Sequence, residues 1–163
     1  MLQKISLFIL ISSSFLYAQS ESSFPKEWQS YESKSTFLTS LKSIPKCDAD
    51  ISNLAPIYQE MVYTYCDKGS GKISIFVSPN AKKSFADREG VYPDGAQLIL
   101  HLKDKKMLFV TTYKNNKPFY SIYKEDGSDV STATGTGFNP NDCRSCHTGY
   151  SAFCLNGQCA TQK

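Results

Sequence analysis

Three runs rich in apolar residues follow one another closely in the second half of the chain. They are AQLILHLK (96–103), KMLFVTTY (106–113) and KPFYSIYKE (117–125), and the short polar connections DKK and KNN separate them. Connections of this length join antiparallel neighbours. KISIFVS (72–78) alternates as a strand does, with Ile73, Ile75 and Val77 on one face. APIYQEMVYTYC (55–66) is predicted to be a further strand, whose candidate inward positions are Ile57, Met61, Tyr63 and Tyr65. The pattern predicts an α+β domain built on a mainly antiparallel β-sheet of about five strands.

A few short helices and one turn complete this prediction. TFLTSLKSI (36–44) is predicted to be a short helix that ends before a proline, and SPNAKKSFADREG (78–90) a second one with Ser78 as its cap. YPDG (92–95) has the composition of a β-turn. Trp28, which lies in an otherwise polar segment, is expected to pin that segment to the core.

The first 18 residues are predicted to be a secretory signal peptide. Lys4 provides a short positive region, residues 5–15 form an apolar and serine-containing run too short to span a bilayer, and Ala18 suits the cleavage point. No cysteine stands at that point, so a lipid anchor is not indicated. The mature chain is expected to be one domain over residues 19–163, exported to the periplasm and without membrane contact after cleavage.

The charge of the mature chain argues against nucleic acid as a partner. The formal net charge of the full sequence is +3, and loss of the one lysine in the signal peptide lowers it to about +2. No run of basic residues accompanies this small excess, and scattered lysines are typical of a solvated surface.

The last predicted helix carries a compact group of cysteine and histidine residues. NPNDCRSCHTGYSAF (139–153) has a favourable helix start, with Asn139 or Asn141 as its cap. The motif CRSCH within it, a Cys-x-x-Cys-His, brings together four features: two thiols three positions apart, one imidazole, a helical setting and an exported chain.

Cys143, Cys146 and His147 are the candidate site residues. Positions three apart lie on one side of a helix, so both thiols could add across the vinyl groups of one porphyrin and form two thioether bonds. His147, next to the second thiol, could then bind the iron from the same side. The motif therefore predicts one covalently attached haem c, with His147 as the metal ligand. Three other interpretations stay open: a zinc site, a thioredoxin-like redox pair, and a disulfide beside an incidental histidine.

The four remaining cysteines are interpreted as structural. Cys154 and Cys159 bracket a turn-forming Asn-Gly pair, and a disulfide between them would staple the end of the chain. Cys47 and Cys66 are then left to pair with each other, which would tie the N-terminal segment to the first predicted strand.

The ligand on the second side of the iron would decide what such a haem does. His101, the only other histidine, could complete a six-coordinate haem if its face of the strand looks toward the cofactor, and Met61 or Met107 could do so instead. The remaining possibility is a five-coordinate iron whose open side is walled by aromatic residues. The candidates for this wall are Tyr63, Tyr65, Phe76, Phe85, Phe109, Phe119 and Tyr123.

The chain resembles the cytochrome P-460 family, which includes the beta-type cytochromes c-prime. The resemblance runs from about FPKEW to CRSCH, and it is carried by PDG (93–95) before an apolar strand and by CRSCH (143–147) near the end. It implies a mainly antiparallel β fold, often a homodimer, and a five-coordinate haem with a proximal histidine. Catalytic members cross-link a lysine to the haem, and here Asp87 and Arg88 occupy the matching places, which argues against a cross-link. Lys82 and Lys83 lie earlier on the predicted helix.

The resemblance also implies small nitrogen species as ligands or substrates. The leading hypothesis is therefore a periplasmic mono-haem cytochrome that binds nitric oxide or a related species at a five-coordinate iron. A six-coordinate electron-transfer cytochrome with a redox partner protein, and an oxidoreductase of hydroxylamine or nitric oxide, are the alternatives. No catalytic acid or base is assigned.

Overall fold

The computed structural model describes residues 22–33, 43–54, 56–66, 71–87, 91–131, 139–149, 154–155 and 158–159. Its strands are β1 (Glu32–Ser33), β2 (Ser43–Ile44), β3 (Gly71–Val77), β4 (Gln97–Leu102), β5 (Met107–Lys114), β6 (Lys117–Lys124), β7 (Cys154–Leu155) and β8 (Gln158–Cys159). Its helices are α1 (Pro56–Tyr65), α2 (Lys82–Asp87) and α3 (Pro140–Gly149). Within these described ranges, no helix has both the length and the apolar character needed to cross a membrane.

The fold is α+β, with an antiparallel sheet of six strands and a few short helices. The sheet order is β1-β3-β4-β5-β6, and the two-residue strands β1 and β2 both pair with β3. The β4–β5–β6 meander confirms the three strands predicted from the sequence. Asn115 and Asn116 connect β5 to β6 with φ values of 51° and 57°, the left-handed conformation that a tight hairpin turn requires and that asparagine tolerates.

One face of the sheet, which we call the helix face, packs against the helices. Ile73, Leu102, Phe109 and Ile122 lie on it, and they form one core cluster with Val62 of α1. Val77 extends the same face into a second cluster that contains Phe85 of α2. The predicted alignment of Ile73, Ile75 and Val77 on one face of β3 is confirmed by these clusters.

The opposite face, which we call the strap face, is covered by residues 22–31, the N-terminal strap. Trp28 is 6 % exposed and packs with Ile99, Leu108 and Tyr123, which confirms that it pins its segment to the core. Polar contacts also hold the strap: the Tyr123 hydroxyl donates to the Ser22 carbonyl, and Gln97 Nε2 donates to the Ser23 carbonyl over 3.1 Å.

The prediction of a strand over residues 55–66 is wrong, because Pro56–Tyr65 is the helix α1. Val62 and Cys66 are buried, and Tyr58, Met61 and Tyr65 pack partly buried beside them. The spacing of these five positions along the chain is three, one, three and one, which is the helical repeat. Tyr63, an inward position on the predicted strand, is 60 % exposed.

The predicted pairing of Cys47 with Cys66 is confirmed, since their sulfur atoms lie at 2.06 Å. The bridge ties the segment before α1 to the end of α1, and not to a strand as the sequence had suggested. It closes a loop with a sequence separation of 19. Cys154 and Cys159 are register partners in the antiparallel pair of β7 and β8.

The predicted helix over 78–90 is found as a 3₁₀ turn, Pro79–Ala81, followed by α2. Ser78 occupies the predicted cap position, but its side chain makes no capping hydrogen bond: the Ser78 hydroxyl donates to Asn80 Oδ1 over 2.7 Å and accepts the Gln97 N–H over 2.8 Å. Most of the helix predicted over 36–44 lies outside the described residues, and its last two residues form β2.

Candidate functional site

The helix α3 begins at an asparagine cap, as the sequence predicted. Asn139 Oδ1 accepts the N–H of Asn141 over 2.9 Å, and the Asn139 carbonyl accepts the N–H of Asp142 over 3.0 Å. Asn139 is therefore the cap, and Pro140 takes the first helical position, where its missing N–H costs nothing. This start fixes where the first turn of α3 places the following cysteine.

Cys143 lies one turn into α3 and packs, partly buried, against the core cluster of the helix face. Its thiol points back along the helix, and Sγ lies 3.8 Å from the Asn139 carbonyl oxygen. Cys146 belongs to the same helix, three positions further on, and its side chain lies outside what the structure describes. Residues 143 and 146 thus belong to one helix, three positions apart, which is the spacing on which the predicted haem attachment depends.

His147 follows in the last turn of α3, where its ring meets β6. The ring centroids of His147 and Tyr120 are 5.1 Å apart, with an angle of 51° between the planes. The residue keeps an exposed surface, yet the protein around the ring lowers the pKa of His147, because desolvation disfavours the imidazolium. This direction of the pKa shift favours the neutral ring, the form in which an imidazole nitrogen binds a metal.

Tyr120 was missed by the sequence analysis. It is 6 % exposed and occupies the position on β6 two residues before Ile122, which places it on the helix face. The alternation of KPFYSIYKE predicts this face. It does not predict which helix covers it, because that depends on packing between distant segments.

His101 lies on the strap face, away from α3. It pairs with Leu108 of β5, and that residue pairs with Tyr123 of β6, so all three share the face opposite Ile122. His101 is 7 % exposed, its Nε2 lies 2.7 Å from Glu125 Oε1, and its ring meets Trp28 edge-on at 4.8 Å. Its Nδ1 is buried without a hydrogen-bond partner within the described part of the chain. The structure therefore does not bring His101 and His147 together.

Met61 and Met107, in contrast, lie on the same side as α3. Both belong to the core cluster against which Cys143 packs, Met107 as a buried member and Met61 partly buried. Tyr65 and Phe109 lie in this cluster as well, with ring centroids 5.4 Å apart.

The other aromatic residues named from the sequence are scattered over the fold. Phe76 and Tyr123 pack on the strap face, Phe85 packs in the cluster at α2, and Tyr63 is exposed. Phe119 is half-buried on β6. Of the aromatic residues named for the open side of the iron, Tyr65 and Phe109 lie in the cluster that Cys143 contacts. Tyr120, which was not named, lies beside His147.

The lysines of α2 are engaged with carboxylates. Lys82 Nζ lies 3.3 Å from Glu32 Oε2, and Lys83 pairs with Asp87 one turn later. Both lysines are exposed, which fits a solvated helix face. Arg88 lies outside the described residues.

The residue types of the motif on α3, and their order along the chain, fit a covalently held haem. Cys143 packs against apolar side chains, as a thioether to a flat apolar ring would require, and His147 directly follows Cys146 in the sequence. Over the ranges that the structure describes, no group of three or more His, Cys, Asp or Glu side chains could hold a bare metal ion. A search of family models, curated proteins and solved structures found no match to this chain.

Proposed function

We propose that this chain is a periplasmic mono-haem c-type cytochrome that binds nitric oxide or a related small nitrogen species. Cys143 and Cys146 would hold the haem through thioether bonds, and His147 would bind its iron. The observation that carries the proposal is the Cys-x-x-Cys-His motif on α3, with Cys143 packed against the apolar core of the helix face.

Each residue of the motif has a separate task. The two cysteines retain the cofactor without relying on its affinity, because each sulfur replaces a vinyl double bond with a carbon–sulfur bond. His147 offers the lone pair of a neutral ring, and the lowered pKa of His147 keeps that lone pair available at mildly acidic pH. When bound, the haem supplies an iron that takes up a diatomic ligand or passes a single electron.

The surroundings of α3 favour a haem iron whose second side, opposite His147, is open to a ligand. His101, the other candidate imidazole, is buried on the strap face and is held there by Glu125. Tyr65 and Phe109 provide apolar and aromatic surface in the cluster that receives Cys143, which would exclude water from a bound ligand.

An electron-transfer cytochrome with a six-coordinate haem is the second candidate, and one observation favours it. Met61 and Met107 share the core cluster of Cys143, so a thioether sulfur is present on the side of the sheet where the haem would lie. A methionine ligand would close the iron to gases and raise its reduction potential.

Absorption spectra of the ferrous protein, with and without carbon monoxide or nitric oxide, test the proposal. A high-spin ferrous spectrum that changes on addition of either gas is expected. A low-spin spectrum that neither gas alters would refute the open site, and the electron-transfer function would then be supported. In that case Met61→Leu and Met107→Leu form a matched pair that identifies the ligand. Only the variant that removes the ligating methionine should allow the iron to bind gas.

A further inference from the structure

A line of buried tyrosines leads away from His147 across the helix face of the sheet. Its first member is Tyr120, whose ring centroid lies 5.1 Å from that of His147. Tyr113 on β5 is the next. It pairs with Pro118, two residues before Tyr120, so the two tyrosines are diagonal neighbours on the same face. Such neighbours have Cα atoms about 7–8 Å apart, within reach of two aromatic side chains.

Burial is a second property that the members of the line share. It raises the pKa of Tyr113 above its usual value, so the phenol of Tyr113 stays protonated. All three tyrosines are buried, with exposures of 3 % for Tyr92, 3 % for Tyr113 and 6 % for Tyr120.

Tyr92 ends the line near the surface. Its ring stacks on that of Tyr113, with centroids 4.4 Å apart and 24° between the planes. The backbone holds this contact, because the Gly95 N–H donates to the Tyr113 carbonyl over 2.8 Å and the Tyr113 N–H donates to the Ala96 carbonyl over 2.9 Å. The next residue in the chain, Val91, is 56 % exposed, so the backbone beside Tyr92 lies at the surface while the Tyr92 ring is buried.

The three side chains share a chemical property that structural packing alone does not require. A phenol gives up one electron and one proton more readily than the aliphatic side chains that fill most of a core. Electron transfer through protein weakens steeply with distance, so several short steps are faster than one long step. A line of phenols between a metal ligand and the surface therefore offers a path for single electrons.

We propose that Tyr120, Tyr113 and Tyr92 form a relay that carries oxidising equivalents from the haem site at His147 to the surface beside Val91. The relay rests on the proposed function, because the haem is where the oxidant would react. The haem and the relay together would act as a peroxidase that oxidises phenols or thiols too large to reach the iron.

The stoichiometry of the relay balances with hydrogen peroxide as the oxidant. Peroxide accepts two electrons and two protons and becomes two water molecules, while its oxygen–oxygen bond breaks. In two successive passages, Tyr92 loses one electron through Tyr113 and Tyr120, and its phenol O–H bond breaks as the proton leaves. After each passage a phenol or thiol at the surface beside Val91 gives one electron across the short remaining gap to the Tyr92 radical and releases one proton to solvent. Tyr92 then takes back one proton, which restores the O–H bond.

The test adds hydrogen peroxide to the ferric haem-bearing protein in the presence of a nitroso spin trap and maps the trapped radical by peptide mass spectrometry. Tyr113→Phe and Tyr120→Phe each remove one phenol and keep the ring. Tyr63→Phe is the matched control, since Tyr63 is 60 % exposed on α1 and has no place in the line. Circular dichroism and haem absorbance confirm that each variant is folded and loaded.

We expect the adduct at Tyr92 in the natural protein and in Tyr63→Phe, and its loss in both relay variants. An adduct at Tyr92 that persists in both relay variants, or one that forms at the exposed Tyr63 instead, overturns the relay. Protein that carries haem and yields no adduct at Tyr92 refutes the relay and leaves the proposed function standing. Protein that takes up no haem refutes the proposed function and the relay with it.

Discussion

Loss of the Cys47–Cys66 bridge should lower the free energy of unfolding by an amount that follows from the loop it closes. The two residues are separated by 19 positions. In the chain-entropy description, a loop of this size makes the bridge worth about 3 kcal/mol, because the bridge removes conformations from the unfolded chain. Cys47→Ala breaks the bridge at an exposed residue, so about 3 kcal/mol is the expected loss for that variant.

A second replacement separates the bridge from the packing of its sulfur. Cys66 is 8 % exposed and belongs to the core cluster with Val62 and Ile73. Adding Cys66→Ala to Cys47→Ala removes a sulfur from this cluster, and the gap should cost about 1 kcal/mol more, close to the value for one buried methylene.

Urea unfolding followed by far-ultraviolet circular dichroism measures both steps. Peptide mapping without reduction serves as a control, because the thiol left in Cys47→Ala must not pair with Cys143 or Cys146. A loss below about 1 kcal/mol in Cys47→Ala would refute the view that the bridge acts through the unfolded chain.

Three further predictions concern the strap face and the buried tyrosines. His101→Ala should leave the haem spectrum unchanged, because His101 bonds Glu125 on the face opposite α3; a shifted or newly gas-sensitive spectrum would contradict this. Trp28→Ala should lower the unfolding free energy in urea by about 3–5 kcal/mol, whereas Tyr63→Ala at an exposed site should change it by about 0.5 kcal/mol or less; equal losses would refute the pinning role of Trp28. Burial raises the pKa of Tyr92 from 10.0 to about 12, so its contribution to stability is present below pH 10.0 and is lost as pH rises to about 12. Stability measured across that range should fall less steeply in Tyr92→Phe, and identical slopes would contradict the shift.

The strands β3 to β6 were predictable because each has one clear period, and β4, β5 and β6 are in addition joined by short connections. The two asparagines of the β5–β6 turn fixed the hairpin, since asparagine tolerates the positive φ that both positions adopt. Neither β1 nor β2 was predicted. Each is only two residues long and exists through pairing with β3, a contact that no local pattern encodes.

The error at α1 arose from a sequence that satisfies two periods over a short distance. Met61, Tyr63 and Tyr65 alternate as a strand would, while Tyr58, Met61, Val62 and Tyr65 follow the helical repeat. Burial distinguishes the two, because Val62 is 1 % exposed and Tyr63 is 60 % exposed. Before the structure, only the length of the segment favoured a helix.

The sequence named the residues of the candidate site by their spacing, but it could not predict their surroundings. Cys143, Cys146 and His147 are recognised by spacing alone, and the cap at Asn139 follows from local chemistry. The contact of His147 with Tyr120, and the placement of His101 on the far face, both depend on how α3 and the strap cover the sheet. Such contacts join segments far apart in the chain, so the sequence alone left them open.

The mass and colour of the protein, made in a periplasm equipped for cytochrome c maturation, test the central claim most directly. We expect red protein whose intact mass exceeds that of the mature polypeptide by one haem and survives denaturation in acid. Cys143→Ser combined with Cys146→Ser, with His147 left in place, should lose that added mass. Colourless natural protein at the mass of the bare polypeptide would contradict the account.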